Sequence, residues 1–119
     1  MRHLEDDIQA AIVRWFDLQH PEIRGRLHHS PNGGQRNVAT AARLKAQGVR
    51  RGFPDLILPV RRGGMPGLAI ELKSPKGRLT AEQTDWLDFL AQQGWLAVCC
   101  VGFDAAKDTI SGYLKQGAA

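Results

Sequence analysis

Cysteine is scarce in this 119-residue chain: Cys99 and Cys100 are the only two, and they are adjacent. Inside the apolar run WLAVCCV they offer neither a disulfide framework nor a spaced set of metal ligands, and they read as small core residues. Long hydrophobic runs are also missing. No stretch approaches the roughly 18 residues of a membrane span, and the opening MRHLEDDIQA has no apolar signal-peptide core. These absences exclude a disulfide scaffold and a spanning helix, and point to a cytoplasmic protein without a membrane partner. Acidic residues are scarce in one place. Residues 23–79 hold 12 of the 16 basic residues and only 2 of the 12 acidic ones, a balance of +10 against −6 for the remainder. The two acids are Asp55 and Glu71.

What is present fits one domain over residues 1–119. A composition 43% hydrophobic and 24% charged is that of an ordinary globular chain, and this length buries enough surface for one core. The local overlap of basic residues around two acids suits a polyanion whose phosphate must meet a cation.

Both acids fall in the stretch Gly52 to Lys73, which reads as two strands joined by a Gly-rich turn: GFPDLILPV, RRGGMPG, LAIELK. Short apolar runs bounded by Gly and Pro suit buried strands. Asp55 in the first, and Glu71 and Lys73 in the second, are costly there without a partner or a task. Strand alternation puts Glu71 and Lys73 on one face. A turn centred near Gly63–Gly64 places Asp55 opposite Leu72 or Lys73. Two carboxylates side by side suit a hard divalent ion, with the lysine able to orient a water or balance a phosphate.

Around this hairpin the chain alternates helix and strand. Leu4, Ile8, Ile12, Trp15 and Phe16 give residues 4–19 helical periodicity. Glu5 flanks the core-facing stripe and is able to reach inward, and Pro21 ends the helix. Arg26–His29 reads as a strand; His28 and His29 point to opposite faces and read as structural. Ser30–Gly34 is a loop. Residues 38–47 form a short helix with a closely packing Ala-rich face, ended by Gly48. Thr80 and Gln83 make a capping box for a helix whose stripe is Trp86, Leu87, Leu90 and Ala91. Trp95–Val101 reads as a buried strand and 104–115 as a last helix capped by Asp104, with residues 116–119 fraying. The expected fold is α/β: a mixed central β-sheet flanked by helices, an αβββαβ core with a short helix between the first two strands and a C-terminal helix.

Pro54-Asp55, a 15-residue gap and Glu71-Leu72-Lys73 match the PD-(D/E)XK nuclease pattern. With Gly48, Gly52-Phe53, and Leu79-Thr80-x-x-Gln83-x-x-Trp86-Leu87 ahead of Gly94, the chain closely resembles the virus-type replication–repair nuclease (VRR-NUC) domain in its compact stand-alone form, from Glu5 to about Val101. The resemblance implies a restriction-endonuclease-like fold in a bacterial or phage-infected cell. It implies Asp55, Glu71, the Leu72 carbonyl and Glu5 at a Mg²⁺ or Mn²⁺ site, and Asp55, Glu71, Lys73 and Gln83 as the catalytic set. It further implies a homodimer acting on branched DNA such as four-way junctions.

The expected activity is metal-dependent endonucleolytic cleavage of DNA in replication, repair or recombination. Arg36, Arg43, Lys45, Arg50, Arg51, Lys76 and Arg78 are the expected backbone contacts. The competing readings are a non-catalytic DNA-binding adaptor, a restriction-type enzyme or RNA nuclease of the same superfamily, and a buried Asp–Lys ion pair in an unrelated domain. The last leaves Glu71 and the charge asymmetry unexplained.

Overall fold

The computed structural model describes residues 4–30 and 37–119. The elements in chain order are α1 (Leu4–Gln19), a 3-10 turn (Pro21–Ile23), β1 (His28–His29), α2 (Val38–Ala46), β2 (Leu56–Leu58), β3 (Leu68–Lys73), α3 (Ala81–Gln92), β4 (Leu96–Val101) and α4 (Gly102–Leu114). One four-stranded sheet runs β1-β2-β3-β4, antiparallel between β1, β2 and β3 and parallel between β3 and β4. The mixed α/β architecture is the one expected, including α2 between the first two strands. β1 is only two residues long rather than four.

Alternation along β3 divides its side chains between two layers. Leu68, Ile70 and Leu72 join Leu56, Leu58 and Cys100 in the core with Ile12 and Phe16 of α1 and Ala106, Ile110 and Tyr113 of α4. Ala69, Glu71 and Lys73 take the other face, where α3 packs on β3 and β4. All six β3 residues are buried, as befits a central strand. Glu71 and Lys73 are the only buried charged residues among those described.

The hairpin register differs from the expected one. Leu56 pairs with Ile70, so one step further Asp55 stands opposite Glu71, not Leu72 or Lys73. The turn itself is where expected, closed by the Arg62–Met65 bridge around Gly63–Gly64. A tight turn at Pro59, with Val60 N–H donating to the Leu58 carbonyl at 2.9 Å, takes up one extra residue on the β2 arm. Asp55 lies in a bend just before β2 rather than inside it.

Other elements also depart from expectation. β4 is an edge strand with one buried side chain, Cys100; Cys99 and Val101 are exposed. α4 starts at Gly102 with Val101 as its N-cap and no side-chain cap, so Asp104 lies inside the first turn. α2 is capped by Asn37, whose Oδ1 accepts from Thr40 N–H, but none of its residues is buried. Its Ala-rich face therefore packs on nothing in the described chain. The C-terminal tail is docked: the Gly63 and Gly64 amides donate to the Gly117 and Ala119 carbonyls, each at 2.7 Å. Gly63 has φ 55°, a left-handed conformation that favours glycine in that turn, and the Gln116 side chain packs over it. Tyr113 Oη, buried, donates to the Val60 carbonyl at 2.6 Å and ties α4 to the same turn.

Candidate functional site

The loop Gly52-Phe53-Pro54-Asp55 is fitted against α3. Gly52 adopts φ 86°, and a Cβ there would come within 2.6 Å of the Glu82 backbone. The chain thus passes directly beneath the first turn of α3, where only glycine can. The Phe53 ring meets Trp86 edge-on with centroids 4.9 Å apart, and Pro54 is fully buried. These contacts deliver Asp55 and Gln83 to the same end of the sheet.

There Asp55 Oδ2 accepts from Leu72 N–H at 2.7 Å. Glu71 Oε2 lies 3.5 Å from Lys73 Nζ and accepts from Gln83 Nε2 at 3.0 Å. The other end of the same amide, Gln83 Oε1, accepts from Thr80 N–H at 2.9 Å, and Thr80 Oγ1 accepts from Gln83 N–H at 3.1 Å. The capping box and the site contact are therefore made by one side chain. Asp55, Glu71, Lys73, Gln83 and Glu5 open into one cleft of about 630 Å³.

Burial raises the Glu71 carboxyl from its usual 4.5 to about 8, helped by the adjacent Asp55 carboxylate and a hydrogen bond with it; Lys73 acts in the opposite direction but is outweighed. Two carboxylates that resist being charged together fit a hard divalent ion, which takes oxygen donors and offsets their repulsion. Asp55, Glu71 and Leu72 all line the cleft; the two carboxylates and the Leu72 carbonyl are the groups that would hold it. Glu5 stands apart. α1 packs on the opposite face of the sheet from Glu71, so Glu5 reaches the end of β3, where it accepts from Ser74 N–H at 3.3 Å and Ser74 Oγ at 3.5 Å. Among the described residues no three His, Cys, Asp or Glu side chains come close enough to share an ion.

Of the expected backbone contacts, Arg51 lines the cleft. Arg43 and Lys45 are exposed on α2, and Lys76 and Arg78 are exposed on the loop after β3. Arg50 Nη1 donates to the Lys45 carbonyl at 3.0 Å and so closes the end of α2. Arg36 lies outside the described residues, as does the loop Pro31–Gly34. Two neighbours of the site escape sequence reasoning. His29 lines the cleft, and Cys99 stands beside Glu71 in the β3–β4 register. Adjacent histidines on a short strand carry no signal that separates a cleft residue from a solvated one.

A mixed sheet with helices on both faces, carrying Asp, Glu and Lys together at one end of its hairpin, is the arrangement of the PD-(D/E)XK nuclease class. The VRR-NUC domain family model matches residues 2–104. The chain therefore belongs to the VRR-NUC domain family, a branch of that nuclease superfamily. A solved structure described as a VRR_NUC domain protein is 32% identical and superposes with a TM-score of 0.85, covering 98% of this chain and 93% of the other. No curated protein gives a significant match. The family match ends inside α4, yet Ile110 and Tyr113 beyond it belong to the same core. No helix is long and apolar enough to cross a membrane among the described residues.

Proposed function

We propose that this chain is a metal-dependent, structure-selective endodeoxyribonuclease that hydrolyses DNA phosphodiester bonds, acting as a homodimer on branched DNA such as four-way junctions. The observation that carries the chemistry is the convergence of Asp55, Glu71 and Lys73 in one cleft, with the Glu71 carboxyl raised to about 8 by burial and the neighbouring Asp55. Asp55, Glu71 and the Leu72 carbonyl would hold Mg²⁺ or Mn²⁺, and Glu5, at the rim beside Ser74, would contribute through water. When bound, such an ion offsets charge at the scissile phosphate and makes a bound water more acidic. Lys73, held 3.5 Å from Glu71, positions the attacking water or meets the charge that develops on the phosphate. Gln83 acts through Glu71, orienting its carboxylate. Arg51 and the exposed Arg43, Lys45, Lys76 and Arg78 bind the backbone without reading bases.

The preference for branched DNA and the dimeric state follow from the family resemblance. They agree with a chain in which no described element presents itself as a base reader, so that shape and the spacing of paired sites set selectivity. The test is a cleavage panel of duplex, single-stranded, flap and four-way-junction DNA, with RNA beside them, in Mg²⁺ and in Mn²⁺. Cleavage of junctions above linear duplex supports the reading. Equal rates on every DNA would remove structure selectivity, and cleavage of RNA alone would replace the substrate.

A further inference from the structure

His29 belongs to β1, an edge strand, and opens into the cleft that holds Asp55, Glu71 and Lys73. Its Nδ1 is 3.0 Å from the main-chain carbonyl oxygen of Asp55. A carbonyl only accepts, so this contact requires the proton on Nδ1 and leaves Nε2 at the far edge of the ring. The same carbonyl accepts from Ser30 N–H at 3.1 Å. At its other end Asp55 is held by the Leu72 amide at 2.7 Å. The residue is therefore gripped from both neighbouring strands, by its main chain from β1 and by its carboxylate from β3.

The grip matters because of where Asp55 sits. It occupies a bend outside the regular β2 ladder, and β1 is only two residues long. Strand pairing alone supplies little to fix the φ/ψ of that bend. A side chain reaching across from β1 supplies a second hydrogen bond to the same oxygen. The result is a fixed aim for the Asp55 carboxylate towards Leu72 and Glu71.

We propose that His29 is a positioning residue that holds the Asp55 main chain through Nδ1–H and thereby aims its carboxylate at the metal. This rests on the reading of Asp55 as a metal ligand, while the His29–Asp55–Leu72 connection is made by protein atoms alone. Groups that orient metal ligands typically change metal affinity by about 10–100-fold when removed.

The experiment exploits the shape of the ring. Asn carries an N–H donor near the position of His Nδ1, whereas Gln places its donor near that of Nε2. His29→Ala, His29→Asn and His29→Gln are compared by Mn²⁺ calorimetry, by exchange of the Leu72 amide in metal-free protein, and by kcat and KM on DNA. The expected result for His29→Ala is Mn²⁺ binding weakened about tenfold, faster Leu72 exchange, and a lower kcat with KM unchanged. His29→Asn restores both binding and protection, and His29→Gln does not. Wild-type Leu72 exchange and Mn²⁺ affinity in His29→Ala would overturn the proposal, as would rescue by Gln but not by Asn, which makes Nε2 the working atom. If the wild-type protein binds no Mn²⁺, the metal reading fails by itself, and the Leu72 exchange still decides the role of His29.

Discussion

Gln83 Nε2 donates to Glu71 Oε2 at 3.0 Å while Gln83 Oε1 accepts from the Thr80 amide at 2.9 Å. One amide thus starts helix α3 and orients a buried carboxylate of the cleft. Thr80→Ala removes only the cap and is expected to cost about 1 kcal/mol. Gln83→Ala removes the cap contact and the bond to Glu71 together. Urea unfolding is expected to show a loss in both variants, while Mn²⁺ calorimetry is expected to show weakened binding in Gln83→Ala alone. Equal Mn²⁺ affinity in the two would separate the cap from the site.

Glu71 sets a pH dependence of stability in the metal-free protein. Unfolded, the carboxyl releases its proton near 4.5; folded, it keeps it up to about 8. Between those values the folded state binds more protons than the unfolded state, so stability falls as pH rises from about 4.5 to about 8. A divalent cation reverses the trend by favouring the charged form, and its stabilising effect grows with pH over the same window. The urea midpoint of wild type, in chelator, is expected to drop more between pH 5 and pH 8 than that of Glu71→Gln, which cannot ionise. Parallel midpoints in the two proteins would contradict this origin.

Gly52→Ala introduces a Cβ 2.6 Å from the Glu82 backbone at a φ of 86°. The strain is expected to cost at least about 1 kcal/mol and to push the first turn of α3 away from Asp55. Activity is expected to fall further than stability alone explains, read as kcat under conditions where the variant is fully folded. A folded variant with wild-type kcat would show that the Gly52–α3 contact does not set the site.

Tyr113→Phe deletes a hydroxyl that donates to the Val60 carbonyl at 2.6 Å, far from the cleft. The half-buried carbonyl left without this donor costs about 1 kcal/mol. Thermal unfolding is expected to shift downward with kcat unaltered, and a loss of kcat would instead tie the hairpin turn to catalysis.

Arg51→Gln and the pair Arg43→Gln with Lys45→Gln bear on DNA binding. Each removed phosphate contact is expected to weaken binding evenly across sequences and to lower the salt slope by about 1. Fluorescence anisotropy against salt concentration measures this. An unchanged slope in the double variant would place α2 away from the backbone.

Much of this architecture is legible in the sequence because it rests on local rules. The apolar stripe of α1 returns its bounds, Leu4–Gln19, and the Thr80–Gln83 box is enough to start α3. Strand alternation suffices to place Glu71 beside Lys73. What is not legible depends on contacts between distant segments. The tight turn at Pro59 shifts Asp55 by a residue, from Leu72 to Glu71. The layer on which α1 packs decides that Glu5 meets Ser74 rather than Glu71. A two-residue β1 gives too little pattern to show that His29 faces the cleft, and exposure on an edge strand separates Cys99 from its buried neighbour Cys100.

The most direct measurement is cleavage of a four-way junction by wild type, Asp55→Asn and Lys73→Ala, each with Mg²⁺ or Mn²⁺ and again with excess EDTA, alongside junction binding by the same proteins. Wild type is expected to cleave only with the divalent ion. Both variants are expected to bind DNA nearly as well and to cleave at least about 100-fold more slowly. Cleavage by wild type that persists undiminished in EDTA, or full activity in either variant, would contradict a metal-dependent site built on Asp55, Glu71 and Lys73.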